Sequence, residues 1–317
     1  MKSIFVNLKR FDIPQQDGGI CPADDPVKWV ESIIAESIEL GLGQKANLQL
    51  HYMLPEGLVH PALEKRAQFA SDSTYNLHIG IQGVYPQDVR VGGNFGAFTT
   101  FTPAAAAAAL GAEWALIGHS EERKDKLSIM ARYDPEIAHN ADKREKASAA
   151  VSALINEEAH CALGRGIRVL LCIGETAEER GEGSFNQQQV RIRRALESQI
   201  AISLQGINEK ITDRARVVIG YEPIWAIGPG KTPPDVEYIA FVTTLIKSAT
   251  MQLHGFEPAV VYGGGLKEEN AASIAAIPNL DGGLVGLTHF VPPIGFDVAG
   301  LSKIIERYQS AFREGKR

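Results

Sequence analysis

A single parallel (β/α)8 barrel, an α/β fold carrying loop insertions, is the architecture this sequence predicts, on three observations. Short β-rich apolar runs alternate with longer stretches of helical period, the mark of strand–helix units feeding a parallel sheet. The alternation repeats eight times, and no linker separates any of the units. The 317 residues fit one enlarged barrel, because such barrels run from about 250 residues upward.

In chain order, strands are predicted over 3–7, 47–52, 77–82, 114–117, 168–173, 216–221, 259–262 and 283–285. Helices are predicted between and after them over 26–40, 61–70, 103–110, 148–163, 186–204, 235–253, 268–276 and 296–312. Pro26, Pro61 and Pro103 open three of these, and Asp235 and Glu268 open two more. Both residue types suit a first helical turn, where a missing N–H costs nothing and negative charge meets the helix dipole.

Composition narrows the function classes. The chain is 44% hydrophobic and 22% charged, with a net charge of −6 spread along its length. There is no basic field for a nucleic acid. The first residues turn polar too soon for a secretory signal, and no apolar run approaches the ~20 residues a bilayer span requires, so no membrane role and a cytoplasmic location are expected. Cys21, Cys161 and Cys172 form an odd set without metal-binding spacing. They read as buried or incidental thiols, and neither a metal nor a cofactor is expected.

Barrels of this kind carry their chemistry on the loops that leave the C-terminal strand ends. Glu222 ends the apolar run 217–221 and is stiffened by Pro223. It suits a general base, although a capping or ion-paired glutamate fits the same position. The following segment, Pro223, Ile224, Trp225, Ala226, Ile227, Gly228, Pro229, Gly230, Lys231 and Thr232, is too apolar to be left in water at no cost. It reads as a lid over a ligand, or as a buried connection. His119 stands where a strand runs into an acidic first turn; the helix dipole there favours a neutral imidazole that can donate to a substrate oxygen. Asn7 and Lys9 add an amide and a cation to the same mouth. Gly228, Gly263 to Gly265 and Gly286 offer backbone N–H groups to a phosphate after the last strands.

Taken together, Phe5 to Lys9, Gly96 to Thr99, Gly111 to Glu121, Leu171 to Thr176, Tyr221 to Gly228, Gly230 to Thr232 and Tyr262 to Gly264 resemble the triosephosphate isomerase family, in order and over nearly the whole chain. The resemblance implies aldose–ketose isomerisation of a small phosphorylated sugar through an enediolate, interconverting D-glyceraldehyde 3-phosphate and dihydroxyacetone phosphate in glycolysis and gluconeogenesis. It implies Glu222 as the base, His119 as proton shuttle, Lys9 and Asn7 as stabilisers of the developing charge, and Glu121 as a carboxylate that orders the lysine. It also implies a closing loop over 223–232, with Gly228, Gly265, Gly286 and Leu287 at the phosphate, and a homodimer built through the third loop. A general base beside a dipole-lowered histidine and under a closing loop is thus what the resemblance implies for this mouth.

The sequence departs from the family pattern in four places. Gly265 stands where the family has serine, and Leu287 stands where it has a second glycine, which makes a close backbone approach or a positive φ difficult. The third loop, 99–102, lacks the family's acidic residue, and Glu122 replaces the arginine that pairs with it. Extra length falls near 10–25, 64–75, 84–95 and 124–150 within one domain over 1–317. The last of these reads as a helical excursion beside His119, either solvated or covering the mouth. Two further functions fit the same residues: a related isomerase acting on a longer phosphosugar such as erythrulose phosphate, and a non-catalytic phosphosugar-binding barrel.

Overall fold

The computed structural model describes residues 1–99, 101–207, 216–228 and 230–314; Thr100, residues 208–215, Pro229 and residues 315–317 lie outside the described residues. Eight strands, β1 (Lys2–Asn7), β2 (Leu48–Leu54), β3 (Leu77–Ile81), β4 (Trp114–Ile117), β5 (Arg168–Ile173), β6 (Val217–Tyr221), β7 (Ala259–Tyr262) and β8 (Gly282–Val285), close in sequence order into a barrel. Every pairing is parallel, and closure is made by β1 on β8, with Ser3 opposite Gly282 and Val6 opposite Val285.

Each predicted strand forms, within two residues at either end. The helices differ more. They are α1 (Pro26–Glu39), α2 (Glu56–Ala67), α3 (Ser71–Thr74), α4 (Ala104–Ala109), α5 (Ser120–Tyr133), α6 (Ala141–Gly164), α7 (Ala177–Arg180), α8 (Phe185–Ser203), α9 (Val236–His254), α10 (Glu268–Ala275) and α11 (Val298–Glu314). The helix expected to begin at Pro61 begins at Glu56 and carries Pro61 inside it. The proline marks an early turn rather than the first residue. The helix expected over 148–163 starts seven residues sooner, because Asn140 accepts the Lys143 N–H and caps it.

Alternation along the strands divides the core. Phe5, Met53, Trp114, Leu116, Leu170, Cys172, Val218, Val261 and Leu284 pack inside the barrel. A larger set, including Ile4, Val6, Leu50, Tyr52, Ile219 and Tyr262, packs between the strands and the surrounding helices. Cys21 and Cys172 are buried, Cys161 is half-buried, and all three are free thiols. Among the described residues no helix is long and apolar enough to cross a membrane.

The segments of extra length take distinct forms. Near 10–25 the chain folds back on itself through a bridge between Pro14 and Cys21. At the third loop, Tyr85 stacks on Phe101 and meets Phe98 edge-on, and the Tyr85 N–H donates to the Thr102 carbonyl at 2.9 Å. Val91 and Phe95 project almost fully into solvent. The stretch 124–150 supplies most of α5, a short 3-10 turn over Pro135–Ala138, and the start of α6.

Candidate active site

The site is assembled at the C-terminal strand ends around a cavity of about 1700 Å³. Asn7, Lys9, His119, Glu121, Glu222, Gly228, Gly265, Gly286 and Leu287 all line it, as do Ile224 to Ile227 and Gly230 to Lys231 of the expected lid. Lys124, Leu127, Arg144, Glu145 and Ser148 line it as well, so the added helices wall the mouth rather than project into solvent.

Asn7 closes β1 and is buried. Its side-chain oxygen accepts the Lys9 N–H at 3.0 Å and a Gln82 Nε2 hydrogen at 3.2 Å. Gln82 also donates to the carbonyls of Lys9 (2.9 Å) and Met53 (3.2 Å), tying β1, β2 and β3 together beneath the site. Lys9 is held with φ +44°, a strained backbone for a side-chain-bearing residue. Its ammonium donates to Glu121 Oε1 at 2.6 Å.

His119 is the N-cap of α5, and its Nδ1 accepts the Glu121 N–H at 3.3 Å. That acceptor role places the imidazole proton on Nε2, which lies 3.1 Å from Glu222 Oε1. Here the sequence expectation is corrected. The helix dipole was expected to disfavour the charged ring, yet its proton affinity is raised: burial pulls it down, but the Glu222 carboxylate, by charge and by hydrogen bond, outweighs burial. The sequence could not show this, because Glu222 arrives from β6.

Glu222 is 3% exposed. Its carboxylate accepts the Ser120 N–H at 3.0 Å and the Ser120 hydroxyl at 3.3 Å. Glycines make room for it: a Cβ on Gly174 would stand 1.7 Å from the Glu222 carbonyl oxygen, and one on Gly263 would stand 3.2 Å from its Cγ.

Lid and phosphate residues divide by burial. Pro223 and Ala226 are buried, whereas Gly228, Gly230, Lys231 and Thr232 are exposed; Pro229 lies outside the described residues. Trp225 anchors the first half by donating Nε1–H to Glu175 Oε1 at 2.7 Å, while the Arg180 guanidinium lies 3.9 Å over its ring. The same Glu175 oxygen accepts from the Tyr221 hydroxyl at 2.9 Å and the Tyr238 hydroxyl at 2.7 Å. Gly265 has φ +88°, a conformation that would strain the serine of the family pattern. Leu287 is not among the residues of positive φ, so the backbone strain expected of a leucine there does not arise. A Cβ on Gly286 would stand 3.9 Å from Lys9 Cε, which places the end of β8 against the lysine.

Sequence reasoning did not single out Gln82, Ser120, Glu175 or Lys267, all of which border or support the site. Ser120 and Glu175 were within motif stretches, but their partners come from other strands. Lys267 lines the cavity with its ammonium 4.3 Å from the Phe290 ring, and a lone lysine in an acidic helix start gives no signal.

Comparison with known proteins agrees with this geometry. The sequence model of a family described as triosephosphate isomerase matches residues 45–292. A triosephosphate isomerase of Lactobacillus delbrueckii subsp. bulgaricus is 32% identical over 236 residues, covering 73% of this chain and 79% of its own. One of Streptococcus mutans is 31% identical over 257 residues, covering 80% and 86%. The crystal structure of a triosephosphate isomerase from Bartonella henselae superposes with a TM-score of 0.63 at 19% identity, covering 97% of this chain and 99% of that one, a likeness of fold.

Proposed function

The chain belongs to the triosephosphate isomerase family, and from that premise we propose how its own residues interconvert D-glyceraldehyde 3-phosphate and dihydroxyacetone phosphate. The observation that carries the reading is the convergence of Glu222, His119 and Lys9, from three different strand ends, on one cavity.

Glu222 takes a proton from the carbon beside the carbonyl and returns it to the neighbouring carbon, so the reaction balances without an oxidant or reductant. His119 donates its Nε2 proton to the substrate oxygen that becomes negative and takes a proton back from the neighbouring hydroxyl, which becomes the new carbonyl. Lys9 and Asn7 stabilise the enediolate charge, with Glu121 holding the lysine. Glu222 is occupied by Ser120 and His119 in this structure, so substrate must compete for it. The loop over 223–232 closes over the phosphate, which the N–H groups near Gly228, Gly265, Gly286 and Leu287 receive, with water excluded from the intermediate.

The chain is read as one barrel domain over 1–317, lengthened near 10–25, 64–75, 84–95 and 124–150. The exposed Val91, Phe95 and Phe101 of the third loop support a homodimer through that loop, and a glycolytic substrate supports a cytoplasmic location. The test is turnover on a panel of three- to five-carbon aldose and ketose phosphates. A kcat/KM on glyceraldehyde 3-phosphate on the order of 10⁷ M⁻¹s⁻¹, close to the diffusional ceiling, is expected; preference for a longer substrate would overturn the reading.

A further inference from the structure

Next to His119, but not lining the cavity, three charged side chains form a second cluster. Gly118, the residue before the histidine, is held at both ends of its backbone. Its N–H donates to Glu122 Oε2 at 2.7 Å, and its carbonyl accepts from Arg123 Nε at 2.8 Å. The peptide is confined as well: φ is +75°, and a Cβ would come within 2.9 Å of the Cys172 carbonyl oxygen. Glu122 is held in turn by Lys126, one turn along α5. Lys126 reaches across to α6 and donates to Glu158 Oε1 at 2.8 Å.

Glu158 is 2% exposed, its second oxygen is buried, and its neutral form hydrogen-bonds the Glu122 carboxylate. One lysine faces two carboxyl groups. Glu122 has both the Lys126 ammonium and the Gly118 N–H, so the negative charge belongs on Glu122 and the proton on Glu158. In keeping with this, burial and the neighbouring Glu122 charge push Glu158 well above the usual carboxylate range. Burial also acts to raise Glu122, but the hydrogen bond from Glu158, the Lys126 ammonium and the Gly118 N–H hold it below its ordinary value. The remaining ionisable groups around Glu158 are Arg123 and the thiol of Cys161. Glu122 stands where the family resemblance led to an arginine, and Lys126 belongs to the added stretch 124–150; the clamp is therefore a device of this chain.

We propose that Glu158 is a positioning residue for the isomerisation: as a neutral acid it seats Lys126, and through Lys126 and Glu122 it fixes the Gly118–His119 peptide and hence the imidazole at the cavity. The clamp works while Glu158 keeps its proton, and it loosens as pH rises, when the ionised carboxyl can no longer hydrogen-bond Glu122 and repels it across their shared lysine.

The inference rests on His119 acting in proton transfer. Its test is kcat and KM from neutral to alkaline pH for the wild type, Glu158→Gln, Glu158→Ala and His119→Gln, with folding checked by circular dichroism. Wild-type kcat is expected to fall on the alkaline side more steeply than that of Glu158→Gln, whose amide cannot ionise. Glu158→Ala is expected to lower kcat roughly tenfold with little change in KM, the size of loss typical when a supporting residue is removed. Wild-type kcat and pH profile in Glu158→Ala would overturn the inference, as would an alkaline loss in Glu158→Gln equal to that of the wild type. The Gln comparison stands even if the alanine variant does not fold. Full activity in His119→Gln would instead overturn the assignment of the site itself.

Discussion

At the C-terminal strand ends, His119 meets Glu222 at 3.1 Å and Lys9 meets Glu121 at 2.6 Å around an open cavity. At the opposite end the same residue types gather around Glu113, which takes His78 Nδ1 at 2.7 Å, Arg66 at 2.5 Å and Arg168 at 3.2 Å, and none of these lines the cavity. Beside them His51 is wholly buried inside the barrel, stacked 4.2 Å from Phe5 and 4.9 Å from His78. The lower cluster packs its charges against one another and against rings. The upper one leaves Lys9 strained and, beside a Glu222 engaged by Ser120 and His119, space for a substrate. Clustered ionisable groups therefore mark chemistry only where a loop end and a cavity accompany them; elsewhere they hold the barrel shut.

Four experiments can break or sharpen that contrast. Shortening the base in Glu222→Asp should cost about 10³-fold in kcat, within the range of a general base, and leave thermal unfolding almost unchanged. Equal activity would remove Glu222 from the chemistry.

Glu113→Gln should do the converse, lowering folding stability by about 3 kcal/mol by removing the negative charge that the half-buried Arg66 and Arg168 share, while kcat holds. Burial raises the Glu113 carboxyl, but His78 and Arg66 overcome it and bring it to about 2. Its contribution is therefore present above the ordinary carboxylate range and lost as pH falls toward that value. Denaturant titrations of both proteins across acid pH check this; a loss of kcat with stability intact would blur the two regions.

Burial, with His78 and Arg168 adding to it, pulls His51 well below the ordinary histidine value. The folded ring stays neutral while the unfolded one protonates, so stability falls with pH below about 6.5, by up to about 1.4 kcal/mol per pH unit. His51→Phe should flatten that dependence; parallel unfolding curves for the two proteins would show that His51 is not the titrating group. The smallest effect is expected at the mouth itself. Glu121 is 61% exposed, and an exposed ion pair contributes at most about 1 kcal/mol, so Glu121→Gln should reduce kcat/KM by less than roughly fivefold. A hundredfold loss would move Glu121 from support into the chemistry.

The sequence by itself determined the barrel and most of the site's membership. Strand and helix periods are local properties, and eight repeats of them leave little other choice of fold; Asn7, Lys9, His119 and Glu222 could be named as candidates because each ends a strand or follows one within two residues. Contacts between those ends are another matter. Barrel closure and register set them, and they decided that Glu222 reaches His119 and raises its proton affinity against the helix dipole. The same applies to Gln82 gathering three strands beneath Asn7, and to Glu158 of α6 reaching Lys126 on α5. Gly265 and Leu287 show the reason most simply. Their residue types depart from the family pattern, but their backbone angles, +88° at Gly265 and no positive φ at Leu287, are set by the packed loops after β7 and β8.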